Sequence, residues 1–177
     1  MSNGMIQRQK GNSMIEVVVT ILVISLGLLG LAALQITAMR YQRISSQRSE
    51  ATQSVHDLGE RIRANRLGVM SGHYLHTTAY ATTVSNQSAI PTCAKEKCTS
   101  KEIAQIDLAQ WLQNLNRRLH GGAGYVESTA VGGYDVTIMW KEQSSKLATQ
   151  ELDPACPTNP MLAPGLGVRC YVVRVAP

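Results

Sequence analysis

The sequence contains no phenylalanine, and aromatic residues make up only 5% of its 177 positions. Proteins that bind single-stranded nucleic acid stack bases on aromatic side chains, so this composition argues against such a platform. The net charge is +5, and Arg8 and Lys10 near the N-terminus supply two of those charges. The remaining +3 is scattered and forms no basic patch. We therefore predict no nucleic acid among the partners.

Cysteine is also scarce, and its four residues are Cys93, Cys98, Cys156 and Cys170. An even number in a small exported domain predicts disulfides, and four cysteines allow three pairings. Short loops favour Cys93–Cys98 and Cys156–Cys170, and free buried thiols are the alternative. A zinc site is less favoured, because no His pair stands close enough to complete a tetrahedral set. We predict no metal and no cofactor.

Proline and charge are missing from Met14–Leu34, apart from one carboxylate, Glu16. About 20 apolar residues at ~1.5 Å each cross the ~30 Å hydrocarbon core, so we predict a transmembrane helix over 12–34. Arg8 and Lys10 precede it, which favours a cytoplasmic leader and a periplasmic domain. A cleaved secretory signal would have a shorter apolar region. A plain anchor explains the length, but it gives no reason for a costly charge inside the run.

The residues around this carboxylate form a specific pattern. A short basic leader is followed by Gly11-Asn12-Ser13-Met14-Ile15-Glu16 and then by the apolar run. This pattern resembles the class III signal of type IV pilins. The resemblance implies that prepilin peptidase cleaves between Gly11 and Asn12 on the cytoplasmic side and then methylates Asn12. The usual first residue of the family is aromatic, so Asn12 departs from the pattern, whereas Glu16 matches the family's carboxylate.

This processing gives Glu16 a physical role. The new α-amino group of Asn12 is positive at neutral pH. In a filament whose apolar helices pack away from water, Glu16 beside the amino group of a neighbouring subunit would neutralise both charges. An unpaired buried charge costs several kcal/mol, so the pair would fix the axial register. The resemblance implies that the partners are other minor pilins and the major pilin, first in the inner membrane and then in the pilus (fimbrium).

Within the family, the chain is most similar to PilV, the minor pilins called type IV pilus modification proteins. The similarity covers residues 13–17 and 24–35, the run Glu60-Arg61-Ile62-Arg63-Ala64-Asn65-Arg66, and residues 107–111 leading into Gly121-Gly122-Ala123-Gly124. It implies a minor pilin that starts pilus assembly and supports twitching motility and attachment. The alternative is a minor pseudopilin of type II secretion, which shares the N-terminal signal; the disulfide-rich C-terminal part looks more pilus-like.

The alternative of another class is a membrane-anchored periplasmic enzyme. The sequence has no nucleophile with a base at motif spacing and no paired acids outside the long helix. His73 and His76 are three residues apart, but no third ligand is near them in sequence. We therefore predict a structural protein and not an enzyme.

Apolar residues continue at helical spacing beyond the membrane segment, at Ile44, Ala51, Val55, Leu58 and Ile62. We therefore predict one continuous helix from about residue 12 to 65, whose amphipathic half, 35–66, packs against a periplasmic globular domain at 67–177. Residues 1–11 form the leader. A basic amphipathic helix lying on a membrane surface is the alternative.

The remaining sequence predicts an α+β fold. Thr99-Ser100-Lys101-Glu102 resembles a capping box for a second helix, which Gly121 ends. Gly132-Gly133 predicts a two-residue hairpin between strands 125–131 and 134–141. In the second strand the predicted buried residues are Tyr134, Val136, Ile138 and Trp140, and the predicted wet ones are Asp135, Thr137, Met139 and Lys141. After a proline-rich loop at 142–167, residues 168–175 predict a third strand. The whole is a pilin fold: a long N-terminal helix packed on an antiparallel sheet of at least three strands, plus a second short helix.

Overall fold

Three helices and three strands follow one another along the chain in a computed structural model that describes residues 14–80, 89–94, 96–130, 132–142, 153–158 and 167–176. The elements are α1 (Met14–Ala64), α2 (Arg66–Met70), α3 (Ser100–Arg118), β1 (Ala123–Ser128), β2 (Tyr134–Lys141) and β3 (Val168–Val175). The strands form one antiparallel sheet in the order β1-β2-β3. The predicted α+β architecture is therefore confirmed. The chain forms two units, Met1–Arg43 and a compact unit, Ile44–Pro177.

The C-terminal part of α1 supplies one wall of the compact unit's core. Its apolar stripe falls at helical spacing, and Ala51, Val55, Leu58 and Ile62 are all buried. The helix ends at Ala64, because Asn65 leaves helical geometry and caps the short helix α2 by accepting a hydrogen bond from the Gly68 amide. The Asn65 amide also donates to the Ser100 carbonyl at 2.7 Å, which joins the end of α1 to the start of α3.

Helix α3 begins with the predicted capping box. The Thr99 hydroxyl accepts from the Glu102 amide, and the Glu102 carboxylate accepts from the Thr99 amide at 2.8 Å. Glu102 also accepts from the Ala94 amide, so the cap includes the loop closed by Cys93 and Cys98. The helix ends at Arg118, and Gly121 follows with a positive φ of 62°, which suits a residue without a Cβ.

The connection between β1 and β2 is longer than the sequence predicts. Strand β1 ends at Ser128, which pairs with Tyr134, so five residues of the sequence separate the two strands and not two. The chain closes at Thr129, whose amide donates to the Gly133 carbonyl and whose hydroxyl donates to the Gly132 carbonyl. Both glycines have positive φ, as a reversal here requires. The predicted two-residue hairpin was therefore wrong, because Thr129 supplies hydrogen bonds that close a wider turn.

The sheet is buried on both faces. One face packs against α1 and α3 through Val126, Val136, Ile138, Trp140 and Val175. The opposite face carries a second cluster built from Tyr125, Met139, Val168 and Cys170, with Tyr80, Ala123 and Cys156 packed against it. The prediction that Thr137 and Met139 are wet was therefore wrong, since both are almost fully buried. Alternation along one strand cannot show that a distant segment covers the second face. The predicted loop at 142–167 lies mostly outside the described residues.

Candidate functional site

The N-terminal half of α1 exposes apolar side chains on every face. All residues from 14 to 43 are exposed, including Val17, Val18 and Val19, which are successive residues and therefore lie on different sides of the helix. This helix is long and apolar enough to cross a membrane. A helix that is apolar all round needs lipid or other apolar helices around it, because so large an apolar surface is unstable in water. We name residues 14–39 the apolar segment.

The hydroxyl groups of the apolar segment satisfy their own hydrogen bonds. Thr20 donates to the Glu16 carbonyl at 2.7 Å, Ser25 donates to the Ile21 carbonyl at 2.6 Å, and Thr37 donates to the Ala33 carbonyl at 3.1 Å. Each bond reaches one turn back along the same helix. These side chains therefore need no outside partner and are compatible with hydrocarbon surroundings.

Glu16 is the one charged residue of the apolar segment. It lies in the first turn of α1, where the helix dipole favours a negative charge, and its side chain is exposed. Within the part of the chain that the structure describes, no ion pair is formed by its carboxylate. Gly11 and Asn12, the predicted cleavage site, lie outside the described residues. The arrangement leaves a carboxylate at the start of an apolar helix, available to a group from elsewhere.

Trp111 joins α3 to the compact part of α1. The indole ring is buried, and its Nε1 donates to the Ser54 carbonyl at 2.9 Å. Strand β1 passes directly beneath the ring at Gly124, where an added Cβ would lie 2.2 Å from two ring carbons. The neighbouring Gly122 is equally tight, since a Cβ there would lie 2.2 Å from the Leu115 carbonyl oxygen. Positions 122 and 124 of the Gly-Gly-Ala-Gly connector therefore leave no room for a Cβ, because the backbone there passes close to α3.

A polar cluster lies at the C-terminal end of α1. Arg61 contacts Asp57 at 3.2 Å on its own helix, and its Nη1 donates to Asp107 at 3.1 Å and to Gln110 at 2.9 Å on α3. The Tyr74 hydroxyl donates to the other oxygen of Asp107 at 2.7 Å. We name these five residues the Arg61 cluster. It joins α1, α3 and the loop after α2.

Arg61 keeps its charge in the cluster, and Tyr74 keeps its proton. Burial lowers the pKa of Arg61, but hydrogen bonds and charges from Asp57 and Asp107 outweigh it, and the net effect raises the pKa. Burial and the hydrogen bond to Asp107 raise the pKa of Tyr74, so its hydroxyl stays a donor. The i, i+4 spacing of Asp57 and Arg61 is visible in the sequence. Their partners on α3 and beside α2 are not, because only the tertiary fold brings them together.

The side chains of the run Glu60–Arg66 lie in two different environments. Arg61, Ile62 and Asn65 point into the compact unit, through the Arg61 cluster, the core and the contact with α3. Arg63 lies at the surface and contacts Glu60 at 2.6 Å. Three of the seven residues in this run therefore hold the end of α1 against the rest of the compact unit, and the other four are exposed.

Both disulfides lie in the compact unit. Cys93 bonds to Cys98 before α3, and Cys156 bonds to Cys170 on β3. Beside the second bond, Asp153 accepts from the Ala155 amide at 3.0 Å and from the Cys170 amide at 3.2 Å. The turn at Asp153 therefore holds Cys156 against the sheet, where it packs on the second cluster.

His76, which follows α2, has a structural explanation. His76 is half-buried, and its backbone pairs with Val126 through hydrogen bonds of 3.0 and 2.8 Å. Burial lowers the pKa of its side chain, which favours the neutral ring. Over the residues that the structure describes, no group of three or more His, Cys, Asp and Glu could hold a metal ion.

Comparison with known families places two matches end to end. Residues 6–32 match the model of the prokaryotic N-terminal methylation motif. Residues 33–109 match the model of a family described as type IV pilin Tt1218. The first match covers residues 6–11 of the predicted leader and most of the apolar segment, and the second includes every residue of the Arg61 cluster except Gln110 and ends within α3. No curated protein and no solved structure matches the chain.

Proposed function

We propose that this chain, whose matches and fold support a type IV pilin with a prepilin N-methylation motif, is a minor pilin that helps to start pilus assembly. Its role would be structural and not catalytic. The partners would be prepilin peptidase during maturation, and other minor pilins and the major pilin during assembly. Through the pilus, the protein would support twitching motility and attachment.

One observation carries this proposal: Glu16 is the lone charge in an apolar segment that is exposed on all sides. An anchor alone needs only lipid around it, and a carboxylate in that position would be costly. A filament gives the charge a partner, because cleavage between Gly11 and Asn12 creates a positive amino group on each subunit. Pairing Glu16 with the methylated Asn12 of a neighbour would remove two unpaired charges and select one register.

The proposed topology is a single pass through the inner membrane, with residues 1–11 cytoplasmic, 12–34 in the bilayer and the domain at 67–177 periplasmic. The two disulfides support a periplasmic location for the domain, since such bonds persist in oxidising compartments. The basic residues that flank the apolar segment do not select its orientation by themselves, because two precede it (Arg8 and Lys10) and two follow it (Arg40 and Arg43). Processing on the cytoplasmic side requires the same orientation.

Within the pilins, we propose membership of the PilV type on the sequence similarities of the apolar segment and of the run Glu60–Arg66. That run contributes Arg61 and Asn65, which seat α1 in the compact unit. A minor pseudopilin of type II secretion would share the leader and Glu16, so the two systems are separated by phenotype. Deletion should remove surface pili and leave protein secretion intact, and the reverse result would identify a pseudopilin.

Mass spectrometry of the chain purified from its own membranes tests the processing step. The mature N-terminus should be Asn12 carrying one methyl group. Recovery of the chain with Met1 and an intact leader would refute processing. The same measurement on a Gly11→Val variant should show the leader retained, because the peptidase would lose its cleavage site.

Substitution of Glu16 tests the assembly step. Glu16→Ala and Glu16→Gln should leave the protein membrane-bound with the compact unit folded, but surface pili should be lost. Thr20→Ala is the matched control, because Thr20 lies one turn away and its hydroxyl bonds only to its own helix. Normal piliation in both Glu16 variants would contradict the proposed role of the carboxylate.

A further inference from the structure

The end of the apolar segment carries a basic and aromatic group of residues. Arg40 and Arg43 are three residues apart on α1 and therefore share one side of the helix, and Tyr41 lies beside them. All three are exposed, Tyr41 to 70%. The sequence has no acidic residue between Glu16 and Glu50, so this stretch carries a net positive charge. We name Arg40, Tyr41 and Arg43 the basic collar.

The position of the collar follows from the helix rise. If Glu16 marks one edge of the hydrocarbon core, ~30 Å at ~1.5 Å per residue ends that core near Ile36. Arg40 then lies about 6 Å farther along the helix, within the headgroup layer, and Arg43 lies about 10 Å farther. Long arginine side chains can reach back to this layer while their apolar stems stay in the interface. Tyrosine is enriched at the same depth.

The chemistry of this layer matches the collar. Phospholipid headgroups present phosphate oxygens, and a guanidinium group binds phosphate through two parallel hydrogen bonds. Anionic headgroups add net negative charge, which attracts basic residues next to a transmembrane helix. Arg48 is also exposed, but it lies about 18 Å beyond Ile36 and so outside this layer. The occupant that fits the collar is therefore an anionic phospholipid of the leaflet in which the apolar segment ends.

We propose that the basic collar is a binding site for anionic phospholipid headgroups while the chain is anchored in the membrane. The inference rests on the membrane-anchored state in the proposed function, but not on cleavage, methylation or the partner of Glu16. It gives the membrane-resident subunit a fixed depth, since the collar and Glu16 mark opposite edges of the hydrocarbon core. It also means that a subunit entering a filament exchanges these headgroups for other contacts.

Native mass spectrometry of the full chain tests the site. The protein is released from bilayer discs of phosphatidylglycerol and phosphatidylcholine in equal parts with identical acyl chains, and the lipids that stay bound are counted. The wild type should be enriched in phosphatidylglycerol. Arg40→Gln/Arg43→Gln should reduce that enrichment by roughly tenfold or more, because one basic residue near an anionic surface is worth about fivefold. Arg40→Lys/Arg43→Lys should keep most of it.

The matched control is Arg66→Gln/Arg117→Gln, which removes two exposed charges of the compact unit. Equal loss of phosphatidylglycerol in this control would mean that net charge alone selects the lipid, and would overturn the proposal. Unchanged enrichment in the Arg40/Arg43 glutamine variant would also overturn it. If that variant keeps its lipid but forms no pili, the collar contacts protein, and the lipid assignment is wrong. Glu16→Ala should keep the enrichment, so failure of the assembly role would not affect this result.

Discussion

The close contact between Gly124 and Trp111 makes a sharp test of how the compact unit is packed. In Gly124→Ala the new Cβ would lie 2.2 Å from two carbons of the indole ring, whereas carbon atoms in contact need about 3.5 Å or more. The ring would have to move by roughly 1 Å or more to relieve this overlap. It cannot move freely, because its Nε1 is bonded to the Ser54 carbonyl at 2.9 Å on α1.

The expected cost has two parts. Overpacking of a filled core costs about 1–3 kcal/mol. A lost buried hydrogen bond that leaves both polar groups without a partner costs about 1–3 kcal/mol more. We therefore expect Gly124→Ala to lower the free energy of unfolding by about 2–6 kcal/mol. In Gly59→Ala the new Cβ meets Val175 at an ordinary 3.5 Å inside a helix, so this control should be neutral or stabilising.

Urea unfolding of the full chain in detergent micelles, followed by tryptophan fluorescence, measures both variants. A further substitution, Trp111→Leu, is made with and without Gly124→Ala, so that the cost of Gly124→Ala is measured in the presence and in the absence of the indole ring. Removing the large ring should open space under Gly124, so the cost of Gly124→Ala should fall well below its value in the wild type. A cost under about 0.5 kcal/mol for Gly124→Ala alone, or equal costs with and without Trp111, would refute the packing argument.

Three further outcomes follow from the compact unit. Thr99→Ala should lower stability by about 1 kcal/mol through loss of the α3 cap, measured by urea unfolding, and Thr99→Ser should restore it. The hydrogen bond from Arg174 lowers the pKa of Asp135, so its contribution is present above pH ~4 and is lost as the pH falls through the lowered pKa. Arg174→Gln should therefore be less stable than the wild type at pH 7, with the difference vanishing in acid titrations; a constant difference would contradict this cause. Cys156→Ser/Cys170→Ser should lower the unfolding temperature, at a cost of about 2–5 kcal/mol, and expose the second cluster to a hydrophobic dye.

Sequence reasoning worked best where a local rule determines the structure. The capping box at Thr99 needs only residues within one turn, and the stripe from Ala51 to Ile62 needs only helical spacing. It failed where a distant segment decides. Met139 was expected to be wet because nothing in β2 indicates that Tyr80 and Cys156 cover its face. The turn after β1 was also misjudged, because Thr129 bonds to both glycines and closes a turn wider than the two glycines alone would make.

The candidate site divides in the same way. The charge pattern of the apolar segment could be read directly, since a lone carboxylate in an apolar run is visible without coordinates. The Arg61 cluster could not, because Asp107 lies 46 residues from Arg61 in the chain and Tyr74 approaches from a third segment. Each residue alone looks like an ordinary surface charge or a core aromatic.

The bond from Trp111 to Ser54 spans 57 residues, and this separation has a consequence for biogenesis. During synthesis, the stripe of α1 appears long before α3, one of the elements that cover it. Until α3 has been made, the apolar stripe of α1 is exposed to water. It then depends on the membrane surface or on a chaperone for protection against aggregation and proteolysis. A chain that stops before Ser100 should therefore be degraded, and its steady-state level in cells measures this. The apolar stripe that is buried in the folded protein is therefore exposed for a time while the chain is being made.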